Sequence, residues 1–169
     1  MPEQRFNPAV QAACAELAAR LAAQSWMLAT AESCTGGMIA AACTDLAGSS
    51  GWFDRGFVTY SNEAKAEMLG VNANLIQRCG AVSQEVAQAM ARGALEHSNA
   101  QLAVAVTGIA GPTGGSDAKP VGTVWFAWAS PTQLRSECRR FPGDRAQIRL
   151  ATVQHALAGL LDLVQATPQ

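Results

Sequence analysis

The sequence predicts a three-layer α/β/α sandwich built around a mixed, mostly parallel sheet of about five strands. Three observations predict this fold. Apolar strands alternate with helical periodicities, glycine-rich turns follow the strands, and two consecutive strands near the carboxyl end are spaced as a hairpin. We expect a single domain spanning residues 1–169, because the sequence contains no repeat, linker or low-complexity segment.

The chain begins with the signals of a helix and then alternates. Asn7 followed by Pro8 is typical of a helix start, with an N-cap and then a proline in the first turn. An apolar stripe follows at steps of four and three: Val10, Cys14, Leu17 and Leu21. We then predict a buried strand at 26–31, a helix at 35–46 and a turn at 48–54.

The middle of the chain continues the alternation. We predict a strand at 55–61, short helices over 62–80 that are interrupted at Gly70 and Gly80, and a helix that Ser83 caps. That last helix is expected to reach about His97.

The carboxyl-terminal third contains the predicted hairpin. The apolar segment QLAVAVTG predicts a strand that leads into a glycine-rich loop at 107–122. TVWFAWAS and LRSECRRF predict two strands joined by a Ser-Pro-Thr turn. Gly143 and Asp144 then open a long helix, with Asp144 as its expected N-cap.

Composition excludes several functional classes. Apolar residues make up 49% of the chain and charged residues 15%, which is enough for a packed core. The net charge is −1 and no basic run is present, so we expect no nucleic-acid partner. No apolar run reaches the ~20 residues that cross a bilayer, and the start lacks the pattern of a signal peptide. We therefore expect no membrane partner and a cytoplasmic location.

Cysteine and histidine usage argues against a metal site. The five cysteines are scattered without a CxxC pair, and the chain has only two histidines, His97 and His155. The sole tyrosine is Tyr60, and the only lysines are Lys65 and Lys119. A catalytic base must therefore come from a short set of residues.

The segment AESCTGG, where a predicted strand meets a predicted helix, is the first candidate site. The first N–H groups of a helix are unpaired and carry partial positive charge, so Ser33 or Cys34 would lie beside oxyanion donors. The alternative is that Ser33 or Thr35 only caps the helix and the two glycines only permit close packing.

Tyr60 and Lys65, in TYSNEAK, form the second candidate site. A serine hydroxyl needs a base, and a desolvated lysine, or a tyrosine beside a lysine ammonium, can provide one. The end of one strand and the start of the next helix can bring both residues to the same sheet edge as Ser33. A half-buried tyrosine and a solvated lysine are the alternative.

The glycine-rich loop at 107–122 is the third candidate. Its backbone N–H groups could approach a ligand closely, although it lacks the pattern of a P-loop and could equally be a long connection. Lys119 in this loop, and Arg145 in the segment FPGDR, could bind a phosphate or could be surface residues.

Taken together, these segments resemble the CinA C-terminal domain family, the nicotinamide-nucleotide amidases. The resemblance covers roughly residues 10–165 and keeps the family's order. It is carried by AESCTGG, GSSGWFDRGFVTYSNEAK, GAVS, TGIAGPTGG, KPVGTVWFA and FPGDR.

The resemblance implies an amidase that converts nicotinamide mononucleotide to nicotinate mononucleotide and ammonia, with no metal or redox cofactor. It implies that Ser33 is the nucleophile, and we expect Tyr60, supported by Lys65, to take its proton. Backbone N–H groups from Cys34 to Gly36, or in the 107–111 loop, are expected to hold the oxyanion. The family habit also suggests a homodimer. The expected substrate-binding residues are Glu32, Cys34, Thr35, Gly36, Thr107, Gly108, Ala110, Gly111 and Arg145.

Two other hypotheses remain open at this point. Cys34, at a helix N-terminus, could be the nucleophile instead of Ser33, because a thiolate is stabilised there. The chain could also be a nucleotide-binding or interaction module without catalysis, since a fold does not guarantee chemistry.

Overall fold

The computed structural model describes residues 5–166, so the two ends of the predicted 1–169 domain lie outside the described residues. That range contains five strands and six α-helices, and a single 3₁₀ turn covers Ser49–Gly51. The elements in chain order are α1 (Pro8–Gln24), β1 (Leu28–Glu32), α2 (Met38–Thr44), β2 (Phe53–Val58), α3 (Asn62–Leu69), α4 (Ala73–Cys79), α5 (Gln84–Glu96), β3 (Leu102–Gly108), β4 (Thr123–Ala129), β5 (Leu134–Arg140) and α6 (Arg145–Ala166).

The strands form one sheet in the order β2-β1-β3-β4-β5. Strand β1 pairs in parallel with β2 and β3, whereas β4 runs antiparallel to both β3 and β5. Four of the five strands therefore point in the same direction, and only β4 is reversed. The mixed, mostly parallel sheet and the β4–β5 hairpin predicted from the sequence are confirmed.

Helices cover both faces of this sheet, and the strand residues differ between the two faces. Toward α1, α2 and α6 the strands present large side chains, among them Leu28, Val104 and Phe126. Toward α5 the inner strands present mainly alanines, so this helix can lie close to the sheet. These alanines are Ala29, Ala31, Ala103, Ala105, Ala127 and Ala129.

The predicted caps are present at several helix starts. Asn7 Oδ1 accepts the Val10 N–H at 3.0 Å, and Ser83 Oγ accepts the Val86 N–H at 3.3 Å. The main chain of Asp144 donates to Gln147 Oε1 at 2.8 Å, while Asp144 Oδ1 accepts the Gln147 N–H at 2.9 Å. This reciprocal pair is a capping box, and it fixes where α6 begins.

The helix predicted at 35–46 was wrong at its start, because α2 begins only at Met38. Gly36 and Gly37 have φ angles of 59° and 100°, in the left-handed region that a helix cannot use. Residues 33–37 therefore form a turn between β1 and α2. The predicted strand 55–61 also ends early, at Val58, so Tyr60 lies in the turn before α3.

The carboxyl ends of β1, β2 and β3 meet at one edge of the sheet, where ligands bind in open α/β folds. The 109–122 loop leaves from this edge, and β5 delivers the start of α6 to it, because Thr123 pairs with Arg140. None of the helices within residues 5–166 combines the length and hydropathy that crossing a membrane requires.

Candidate active site

A cavity of about 220 Å³ lies at this edge of the sheet. It collects residues from the turn after β1, the turn before α3, α3 itself, the segment between α4 and α5, the end of β3 with the loop that follows, and the start of α6. The three predicted catalytic residues all contribute to its wall. The lining residues are Ser33, Cys34, Tyr60, Asn62, Lys65, Ala81, Val82, Thr107, Gly108, Ala110 and Arg145.

Lys65 and Ser33 are in direct contact at the base of this cavity. Lys65 Nζ lies 3.1 Å from Ser33 Oγ and donates to the Thr59 and Tyr60 carbonyl oxygens at 2.9 and 3.1 Å. Only 1% of the Lys65 residue is exposed. Ser61 caps α3, and this places Lys65 on the first turn of the helix, facing the sheet rather than the solvent.

Burial lowers the pKa of Lys65 from its usual value, because the ammonium loses solvation. Within residues 5–166, Nζ is bonded to a hydroxyl and two carbonyl oxygens and to no carboxylate that would offset this loss. The two carbonyl oxygens satisfy two N–H donors of the amine. A neutral Lys65 would therefore have its lone pair free for the Ser33 hydroxyl. The geometry allows a lysine base acting directly on a serine.

Tyr60 contributes to this contact through its backbone and not through its phenol. Its carbonyl oxygen faces Lys65, while its hydroxyl accepts a hydrogen bond from Arg145 Nη2 at 3.3 Å. The residue is 60% exposed. The expected pairing of Lys65 with the Tyr60 phenol is not what the structure shows, because the turn before α3 directs the ring toward α6.

Glu32 is fully buried behind the turn, outside the cavity wall. Its carboxylate accepts the Thr35 Oγ1 hydroxyl at 2.6 Å and the N–H groups of Ile39 and Ala40 at 2.8 and 3.0 Å. Glu32 thus satisfies the start of α2, where a negative charge is favoured. The alternative that Ser33 caps this helix does not apply, and its hydroxyl is left to Lys65.

The backbone of the turn narrows the choice of oxyanion donors. The Gly36 N–H already donates to the Ser33 carbonyl oxygen at 3.0 Å. Neither Gly36 nor Thr35 belongs to the residues that line the cavity. The N–H groups of Cys34 and Thr35 have no backbone acceptor within residues 5–166. Of these two residues only Cys34 lines the cavity, so its N–H is the donor of this turn that could meet an oxyanion.

Cys34 lines the cavity beside Ser33 but is poorly suited to attack. Burial raises the pKa of its thiol to about 11, although the Arg149 and Lys65 charges act in the opposite direction. The thiol is therefore protonated near neutral pH, and the protonated form is not the nucleophile. This disfavours the hypothesis that Cys34 replaces Ser33.

Comparison with known proteins assigns the chain to a family. The CinA C-terminal domain matches residues 10–164. This chain belongs to the CinA C-terminal domain family. It is 59% identical over 134 residues to the nicotinamide-nucleotide amidohydrolase PncC of Pseudomonas putida, and these cover 79% of this chain and 84% of that protein. It is 53% identical over 143 residues to PncC of Escherichia coli K12, covering 83% and 86%.

Longer and solved members of the CinA family are also similar. The chain is 56% identical over 149 residues to a CinA-like protein of Akkermansia muciniphila, covering 88% of this chain but only 36% of that protein. The crystal structure of the competence/damage inducible protein CihA from Agrobacterium tumefaciens has a TM-score of 0.93 and 46% identity, covering 95% of this chain and 99% of that one.

Sequence reasoning missed part of this CinA-family site. Asn62, Ala81 and Val82 line the cavity, and the 80–83 segment is tied to β3 because Thr107 Oγ1 donates to the Ala81 carbonyl oxygen at 2.8 Å. Only the tertiary fold brings this segment to the site. For Asn62 the sequence did contain a signal, because Asn62 directly follows the Ser61 cap at the start of the helix that carries Lys65.

Other candidates lie apart from the cavity. Lys119 Nζ donates to the Cys79 carbonyl oxygen at 3.1 Å, and neither Lys119 nor Gly111 lines the wall. The Gly111 carbonyl oxygen instead accepts from Arg145 Nη1 at 2.8 Å. Within residues 5–166, no group of three or more histidine, cysteine, aspartate or glutamate side chains could hold a metal ion.

Proposed function

We propose that this chain hydrolyses the carboxamide of nicotinamide mononucleotide to nicotinate mononucleotide and ammonia, with Ser33 as the nucleophile and Lys65 as its base. The observation that carries the proposal is the contact of 3.1 Å between Lys65 Nζ and Ser33 Oγ in the cavity wall. Relatives named nicotinamide-nucleotide amidohydrolase PncC, at 52–59% identity, support the substrate.

In the first half of the proposed reaction, neutral Lys65 takes the proton of Ser33 as Oγ attacks the carboxamide carbon. The C=O bond opens to an oxyanion, for which the N–H groups of Cys34 or of the 107–111 loop are the proposed donors. Loss of one such donor typically costs about 10²–10³ in rate. Collapse of the intermediate breaks the C–N bond, and the Lys65 ammonium protonates the leaving nitrogen, which departs as ammonia.

In the second half, an ester joins the nicotinate carbon to Ser33 Oγ. Lys65, neutral again, takes a proton from water, and the hydroxide attacks the ester carbonyl. The second tetrahedral intermediate releases Ser33 Oγ, which recovers its proton from Lys65. One water is consumed and one ammonia is formed, so no further reactant is needed.

The remaining predicted residues are proposed to bind the nucleotide. Arg145 lies at the cavity mouth, where its guanidinium holds the Gly111 carbonyl oxygen and the Tyr60 hydroxyl, and it can offer further N–H donors to a phosphate. The exposed Tyr60 ring is proposed to contact the pyridine or the ribose. Thr107, Gly108 and Ala110 also line the cavity and are proposed to contact the substrate.

Purified protein tests this proposal directly. Incubation with nicotinamide mononucleotide should release ammonia and nicotinate mononucleotide in equal amounts, and a chelator should not change the rate. Binding of the nucleotide without turnover, measured by calorimetry, would instead support a non-catalytic nucleotide-binding module.

Arg145→Ala is expected to weaken nucleotide binding more than chemistry. A charge-assisted hydrogen bond is worth about 1.5–3 kcal/mol, so the KM for nicotinamide mononucleotide should rise about 10–100-fold with kcat within about threefold. The KM for nicotinamide riboside, which lacks the phosphate, should change little. Steady-state kinetics on both substrates checks this.

The matched control for this prediction is Arg135→Ala. Arg135 is an exposed arginine on β5, opposite Trp128 of β4 in the strand pairing, at the end of the sheet far from the cavity. In Arg135→Ala both KM values should stay near those of the unmodified protein. Equal increases of KM on both substrates in Arg145→Ala would contradict phosphate binding by Arg145.

A cytoplasmic location, a homodimer, a single domain and independence from cofactors remain predictions from the sequence. They are not needed for the proposed reaction, which uses groups from this chain and one water molecule.

A further inference from the structure

A guanidinium from the last helix holds the turn that carries Ser33. Arg149 Nε donates to the Cys34 carbonyl oxygen and its Nη2 donates to the Thr35 carbonyl oxygen, both at 3.1 Å. The two bonds span more than 110 positions of sequence, so they depend on the docking of α6. We name residues 33–36 the nucleophile turn.

The planar guanidinium of Arg149 binds two consecutive carbonyl oxygens of this turn, which a lysine ammonium could not do in one plane. A guanidinium presents its N–H donors in a fixed plane, so binding two consecutive carbonyl oxygens fixes the orientation of both peptide groups. A side chain on Gly36 would meet Arg149 Nη2 at 3.4 Å, which shows how closely the guanidinium approaches the turn.

Arg149 works from outside the cavity. It does not belong to the lining residues, whereas Arg145, four positions earlier on the same helix face, does. Glu32 holds the other side of the turn through Thr35 Oγ1 and the first N–H groups of α2. The nucleophile turn is thus fixed between a buried carboxylate and a guanidinium, and neither of them lines the cavity.

We propose that Arg149 is a positioning residue of the amidase reaction, fixing the nucleophile turn so that Ser33 Oγ stays on Lys65 Nζ. In a trans peptide the N–H points opposite to the C=O, so the bond to the Cys34 carbonyl also directs the Thr35 N–H away from Arg149. This inference rests on the proposed function, because it assigns Arg149 a task in that same site.

Arg149→Met should lower kcat for nicotinamide mononucleotide about 10²-fold, the loss typical of a misplaced reacting group. The KM should stay within about threefold, because Arg145 and the Thr107–Ala110 part of the wall, which are proposed to bind the nucleotide, are not touched by the substitution. The pH midpoint of kcat/KM should not move, since Lys65 keeps its bonds to the Thr59 and Tyr60 carbonyl oxygens, which lie outside the nucleophile turn. Arg149→Lys should give an intermediate kcat, because an ammonium cannot hold two carbonyl oxygens in one plane.

The control for the loss of a guanidinium is Arg135→Met at the far end of the sheet, with kcat expected within about threefold. A kcat of Arg149→Met within threefold, or a change confined to KM, would overturn the inference. If circular dichroism shows that Arg149→Met does not fold, Arg149→Lys tests the inference instead. Full activity in Arg149→Lys would then contradict the claim that the two guanidinium bonds position the turn. An inactive unmodified protein would overturn the proposed function itself, and the inference with it.

Discussion

Ser33→Ala is expected to reduce ammonia release from nicotinamide mononucleotide by at least about 10³-fold. Removing the nucleophilic serine of a catalytic unit costs about 10⁶ in a well-studied protease, and the oxyanion donors alone leave only a small residual rate. The substitution removes one hydroxyl oxygen from a buried residue of the cavity wall and leaves the Glu32 cap and the Arg149 contacts in place. Folding should therefore be retained, as circular dichroism and thermal unfolding would show.

The matched variant for this prediction is Cys34→Ser, which changes the neighbouring side chain by one atom. Its activity should stay within about tenfold, because the thiol, with a pKa of about 11, is protonated near neutral pH. Substantial activity in Ser33→Ala together with an inactive Cys34→Ser would transfer the reaction to the cysteine.

Lys65→Met is expected to lower kcat by at least about 10³-fold, since general-base catalysis contributes about 10²–10⁴-fold and the Lys65 ammonium is also proposed to protonate the leaving nitrogen. Methionine has a similar length, so α3 should remain packed against the sheet. The effect should appear in single-turnover ammonia release, where product dissociation does not limit the rate.

The pH dependence of the unmodified protein should show the same group. Lys65 acts as a base only when it is neutral, so kcat/KM should increase as the pH rises through the pKa of Lys65. Because burial lowers that pKa, the increase should lie below the value of about 10.5 of a free lysine.

The matched control is Lys119→Met, which removes the only other lysine of the chain. Lys119 donates to the Cys79 carbonyl oxygen outside the cavity wall, so kcat should stay within about threefold. An equal decrease of kcat in both lysine variants would mean that Lys65 contributes through the net charge or the stability of the protein and not as the base.

The sequence predicted the fold and the place of the site well where local signals and the general rules of α/β sheets agree. Caps at Asn7, Ser83 and Asp144 fixed three helix starts, and apolar runs located the strands. The rule that ligands lie beyond the carboxyl ends of parallel strands placed Ser33 and Lys65 at one edge, and the structure does bring them into one cavity.

The finer geometry depends on details that the sequence does not encode locally. The peptide orientation in the turn before α3 decides that the Tyr60 carbonyl, and not its phenol, meets Lys65. Positive φ angles at Gly36 and Gly37 delay the start of α2, whereas sequence reasoning treated both glycines as the opening of the helix. Arg149 reaches the nucleophile turn only because α6 packs against this edge.

The central claim is that an acyl group is carried by Ser33, and rapid acid quenching during turnover tests it most directly. Peptide mass spectrometry of the quenched protein should find a nicotinate mononucleotide acyl group on Ser33, formed together with a burst of ammonia and absent from Lys65→Met. An ammonia burst with the acyl group on Cys34, or with no acyl group on the protein, would contradict the account.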